Sequence, residues 1–147
     1  MPLSGINYSQ VENKKIVIIT DGTAPIQKVA ESIAAAIGEY QGYSATVIQG
    51  ESFYGSDLLP AYAFFLGCEK PNPLSFFYIE TLFEHINLAG RSCGIFSSKD
   101  KALKYLSLLV RDSEAAMGKP FLAKNGVADS NELHNWIQDI LNNGGKK

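Results

Sequence analysis

Apolar residues gather in continuous runs along this chain, and each run gives way to a stretch where they recur at every third or fourth position. The first run, KIVIIT (15–20), is β-branched with no polar alternation, the pattern of a strand covered on both faces. After a turn of small and polar residues, Ile26, Val29, Ala30, Ile33, Ala34 and Ile37 fall on one stripe of an amphipathic helix ended by Gly38. SATVIQ (44–49) predicts a second strand. Residues 50–60 leave room for little more than one helical turn, over 56–59 with Ser56 as its cap, so the second crossover is short.

AYAFFLG (61–67) is a third buried strand, and residues 73–87 predict a helix that turns Phe76, Ile79, Leu82, Phe83 and Ile86 inward. RSCGIFSS (91–98) supplies the fourth strand, residues 100–118 a long helix closed by Gly118, and KPFLAKN (119–125) the fifth. Asp129 and Glu132 have capping-box spacing at the head of a last helix that buries Leu133, Trp136, Ile137, Ile140 and Leu141. Five strands alternating with helices predict an α/β fold, a doubly wound parallel sheet with helices on both faces.

Composition narrows the function classes. The 147 residues suit one domain, here 1–147 with an N-terminal extension at 1–13 and a tail at 143–147. Thirteen basic against fifteen acidic residues, with no basic stripe, argue against a nucleic-acid partner. The first fifteen residues lack an apolar stretch behind a basic head, and no run approaches the ~20 residues that span a bilayer. The expectation is a soluble, cytoplasmic protein without a membrane partner. Two cysteines, Cys68 and Cys93, are too few for a disulfide framework or a thiolate metal site and are expected to be reduced.

In doubly wound sheets, ligands sit at the carboxyl ends of strands where the winding reverses. The loops concerned are TDGTAPIQ (20–27), GCEKPNP (67–73) and SSKDK (97–101). With KIVIITDGTAPIQKVAESIAAAI ahead of AYAFFLGCEKPNP and LAGRSCGIFSS, the chain resembles a short-chain flavodoxin-like domain from Lys14 to Asn142. The resemblance implies a three-layer sandwich with five strands in the order 2-1-3-4-5, and flavin mononucleotide (FMN) as cofactor. It also implies that Thr20, Asp21, Gly22, Thr23, Ala24, Pro25 and Ile26 surround the phosphate. Gly67, Cys68, Glu69, Lys70 and Pro71, with Ser97, Ser98 and Lys99, would clasp the isoalloxazine ring.

Residue by residue, the first loop meets part of that expectation. Thr20, Gly22 and Thr23 offer two hydroxyls and a flexible backbone just ahead of a helix dipole, as a phosphate requires. Ala24, Pro25 and Ile26 stand where the family carries glycine, a polar residue and threonine, and Asp21 brings a negative charge close to where the dianion would lie. The same residues also serve a plain strand-to-helix turn in which Asp21 or Thr23 caps the helix and nothing binds. Neither ring loop contains an aromatic residue. Lys70 and Lys99 could neutralise an anion, though loop lysines are commonly solvated.

Phe76, Phe77, Tyr78 and Ile79 are four consecutive apolar residues, and consecutive helical positions cannot all face one core. A flavin edge, a neighbouring loop or a second subunit would cover the surplus, and a homodimer interface is the commonest use of such a patch. Tyr54 lies in the segment after the second strand. His85 lies near a helix end, where a cation favours the negative pole and a surface role is expected; His134, in the first turn of the last helix, has no acid-base partner evident in the sequence. A response-regulator receiver has the same strand order but needs an acceptor aspartate where Gly67 and Cys68 stand, and a Rossmann site needs three glycines where the first loop has one. Two functions survive. One is an FMN protein in electron transfer, with a redox partner protein or a small-molecule acceptor; the other is a flavin-free binding or assembly module acting through helix 74–86. The intact strand-loop-helix framework favours the first.

Overall fold

Residues 13–143 are described by the computed structural model; the predicted extension and tail lie almost entirely outside that range. The β-branched run forms β1 (Lys14–Thr20), which pairs in parallel with β2 (Tyr43–Gln49) on one side and β3 (Ala63–Gly67) on the other. Two neighbouring strands and two covering layers explain why it is buried from Ile16 onward. β4 (Ser92–Ser97) pairs with β3, and the sheet runs in the order β2-β1-β3-β4-β5, as expected.

The fifth position departs from the expectation. It is filled by two pieces, β5 (Ala116–Met117) and β6 (Phe121–Leu122), each parallel to β4. The helix placed over 100–118 is shorter, α3 (Asp100–Arg111), because Glu114 adopts φ 67 and the left-handed turn ends the helical path. Residues 116–117 then enter the sheet. Gly118 closes no helix: a Cβ there would lie 2.3 Å from Ile140 Cδ1, so the edge strand presses against the last helix. Pro120, which has no N–H, falls between the two pieces.

α1 (Ala24–Gly38) and α4 (Ser130–Asn143) cover one face, where Ile26, Val29, Ile33, Leu133 and Ile137 meet Ile16, Ile18 and Phe65. α2 (Phe77–Phe83), α3 and residues 50–58 cover the other, where Phe53, Phe76, Ile79, Phe83 and Leu106 meet Val17, Ile19, Phe64 and Ile95. Alternate residues of β1 and β3 thus serve opposite cores. Trp136 of α4 stacks on Phe121 at 4.9 Å and donates its indole N–H to the Lys119 carbonyl at 2.6 Å, pinning the broken edge.

Two local expectations change. The helix predicted over 73–87 is a 3₁₀ turn, Leu74–Phe76, followed by the two turns of α2. Two 3₁₀ turns follow β2, Gly50–Ser52 and Gly55–Asp57, and at the second the Asp57 carboxylate, not Ser56, accepts the Tyr54 amide at 2.9 Å. At α4 the Asp129 carboxylate accepts the Glu132 amide at 3.0 Å, as its spacing predicted.

Candidate functional site

Register brings the three loops together at one end of the sheet. Thr20 pairs with Gly67, and Gly67 with Phe96, so the chain leaves β1, β3 and β4 side by side. Gly67 has to be glycine, since a Cβ there would lie 2.3 Å from the Phe96 ring.

The mouth between the loops after β1 and β3 is closed on itself. Asp21 Oδ1 accepts the Thr23 amide at 3.1 Å and the Thr23 hydroxyl at 2.7 Å, while Oδ2 accepts the Glu69 amide at 2.8 Å. One carboxylate therefore ties the loop after β1 to the loop after β3. Buried Thr20 donates its hydroxyl to Gln27 Oε1 at 2.9 Å and accepts the Gly22 amide at 3.2 Å. Gly22 has φ 82, a conformation that glycine adopts without strain.

The start of α1 contributes little more. Thr23 occupies its N-cap position, yet its side chain bonds to Asp21 and makes no cap hydrogen bond to the helix. Ala24 is exposed. Pro25 has no N–H and lies against the loop at Gly126, where a Cβ would come 3.1 Å from it. The Ile26 side chain is fully buried in the α1/α4 core. Amides of Ala24 and Ile26 are the first-turn donors that remain.

Around the expected ring position, Cys68 is buried in the α2/α3 core. Burial, and then the nearby Asp21 charge, push its thiol well above the usual range. Cys93 is likewise buried and free, so both thiols are poor nucleophiles. Lys70 and Pro71 are exposed. Ser97 is buried and accepts the Lys99 amide at 3.1 Å, the Ser98 hydroxyl is shielded without a hydrogen-bond partner, and Lys99 is exposed. No hydrogen bond among the described residues joins 97–99 to 20–23.

As a cradle for a phosphate dianion this mouth is poorly suited. The amides of Thr23 and Glu69 and the Thr23 hydroxyl already bind a fixed carboxylate, and a second acid, Glu69, stands beside it. Bringing a dianion alongside adds like-charge repulsion that no paired cation at the mouth offsets among the described residues.

A second feature lies nearby, where the chain leaving β2 meets the start of α2. Gly50 lets the two approach: a Cβ would lie 2.5 Å from the Ser75 carbonyl and 2.8 Å from the Phe76 ring. The result is a groove of about 380 Å³ lined by Gly50, Glu51, Phe53, Tyr54, Leu74, Ser75, Phe77 and Tyr78. Phe76, its neighbour in sequence, is fully buried, whereas Leu74 is 94% exposed, Phe77 76%, Tyr54 67% and Tyr78 44%. The Tyr78 hydroxyl accepts the Gly55 amide at 2.9 Å and holds the two walls together. The surplus of the aromatic run thus faces solvent. Sequence reasoning named Tyr54, Phe77 and Tyr78 but missed Gly50 and Leu74 as partners; a glycine just past a strand, with aromatics to follow, was the available signal.

Solved structures share this architecture, among them three flavodoxins. A flavodoxin of Streptococcus pneumoniae TIGR4 superposes with a TM-score of 0.71 at 16% identity, over 87% of this chain and 97% of its own. A short-chain flavodoxin associated with a bacterial microcompartment gives 0.72 at 12% identity, over 90% and 97%. Oxidised flavodoxin 2 of Bacillus cereus gives 0.71 at 16%, over 90% and 98%. No protein-family model matches the sequence, and no curated protein matches it. The chain has a flavodoxin-like fold, a three-layer α/β sandwich. Among the described residues, no helix is long and apolar enough to cross a membrane.

Proposed function

We propose that this chain is a flavin-free binding module that engages a protein partner through the groove between residues 50–54 and 74–78. The observation that carries this reading is the joint exposure of Tyr54, Leu74, Phe77 and Tyr78 around one concave surface. Aromatic side chains of this kind contribute most of the energy at protein interfaces once a partner desolvates them. Glu51 is the charged residue of the lining. The partner is therefore an apolar segment carrying a basic residue; a second copy of this chain would bring a Glu51 of its own to the same surface.

Photocrosslinking tests the reading. With Phe77→benzoylphenylalanine, the expected product joins position 77 to a basic, apolar segment of another protein, and Tyr54→Ser removes it. An adduct with a second copy alone would replace this reading by a homodimer, and the absence of any adduct would end it.

A second reading is favoured by the fold. The neighbours are described as flavodoxins, one of them in its oxidised state. In that reading FMN is held by residues 20–26, 67–71 and 97–99, and electrons pass to a redox partner protein or a small-molecule acceptor. Purified protein separates the two: a yellow preparation, or tight retention of added FMN, supports the flavin reading, and a colourless protein that releases FMN removes it.

A further inference from the structure

Resting on the flavin-free reading of the mouth, we propose that Asp21 is a tethered anion. Its carboxylate takes up the backbone donors that a ligand's phosphate would use, so the native chain is closed to phosphates and removal of this one charge opens it.

Asp21 bonds in two directions. Toward its own loop it accepts the amide and the hydroxyl of Thr23, at the head of α1. Across the sheet it accepts the amide of Glu69, 48 residues away and just beyond the end of β3. A residue that merely capped a turn would need only the first set. The bond to Glu69 converges donors from two loops on one negative group, which is how an anion is bound at the carboxyl edge of such a sheet. Here the anion is covalently part of the chain, so its local concentration cannot fall and a free phosphate has to displace it. The surroundings fit an anion that stays in place: Thr20 and Gln27 are bonded to each other beneath the loop, and Glu80 accepts both the Asn72 amide group at 3.0 Å and the Tyr105 hydroxyl at 2.6 Å, fixing the far end of the β3 loop.

The test compares native protein with Asp21→Ser and Asp21→Asn. Inorganic phosphate and FMN are titrated separately, read by calorimetry and by the melting temperature. Native protein is expected to gain no thermal stability from millimolar phosphate, whereas Asp21→Ser binds it at least ~10-fold more tightly, because a like charge has left the site and two amides are free. Asp21→Asn keeps the size and one acceptor oxygen, and so tests the charge in a chain that keeps its packing; its affinity is expected to fall between the two. Native protein that binds phosphate or FMN as tightly as the variants overturns the proposal, and so does a pair of folded variants that bind neither any better. FMN bound tightly by native protein would also end the flavin-free reading, whereas variants that gain nothing would leave crosslinking at position 77 unaffected. Phosphate bound without FMN would assign the opened site to small anions.

Discussion

The mouth and the groove lie at the same end of the molecule and were built by opposite means. In the mouth, the hydroxyls of Thr20 and Thr23 and the amides of Gly22, Thr23 and Glu69 have partners within the chain, with Asp21 serving three donors. In the groove, apolar side chains stand free around buried Phe53. A surface whose hydrogen bonds are made internally has little left to offer a ligand, whereas exposed aromatic area gains when it is covered. Fold alone points to the mouth for a ligand; the chemistry of the side chains points to the groove as the surface that gains from being covered.

The sharpest way to probe this contrast uses two adjacent residues. Phe76→Ala removes a fully buried ring beneath the groove and should cost about 3–5 kcal/mol of stability in denaturant unfolding. Phe77→Ser, one position on, should change stability by no more than about 0.5 kcal/mol while abolishing partner capture. Equal losses for the two would mean that Phe77 supports the fold and that the groove is no free surface.

Breaking the mouth should cost less. Asp21→Ala leaves the half-buried amides of Thr23 and Glu69 without their acceptor, for an expected loss of about 1–3 kcal/mol. Thr23→Val keeps the amide bond and the side-chain shape and removes the 2.7 Å hydroxyl contact, for an expected loss of about 0.5–1.5 kcal/mol. The two residues touch, so the double variant should fall short of the sum. Additive losses would show that the Thr23 hydroxyl and the Asp21 carboxylate are not coupled.

How much of this the sequence revealed follows from how local each signal is. β1, β3 and β4 were legible because strands buried on both faces need continuous apolar runs, and KIVIIT, AFFLG and SCGIF are such runs. The edge was misread. Ala115, Ala116 and Met117 continue a helical pattern, and nothing local announces that Glu114 turns left-handed and sends them into the sheet. The mouth was half legible: the charge of Asp21 was visible as a departure from a phosphate loop, but its bond to the amide of Glu69 depends on the register of β1 against β3, which no spacing encodes. The aromatic run at 76–79 was legible as a surplus, and only the fold showed which rings, Phe77 and Tyr78, it leaves outside.

The smallest expected effect concerns Cys68, which lies under the mouth. Its thiol is pushed up mainly by burial, with a lesser contribution from the Asp21 charge. A group whose pKa is higher in the folded chain than in the unfolded chain contributes stability that is intact below the unfolded value, about 8.5 for a thiol, and is lost progressively as pH rises above it. Stability measured by urea unfolding should therefore be flat in this respect at neutral pH and decline on the alkaline side, and Cys68→Ala should remove part of that decline. Asp21→Asn deletes only the lesser cause, so it should shift the alkaline limb slightly and leave the native thiol slow to alkylate. If Asp21→Asn instead made Cys68 react rapidly with iodoacetamide at pH 8, the carboxylate would be the lid over the mouth, and burial by the α2/α3 core would not be what shields the thiol.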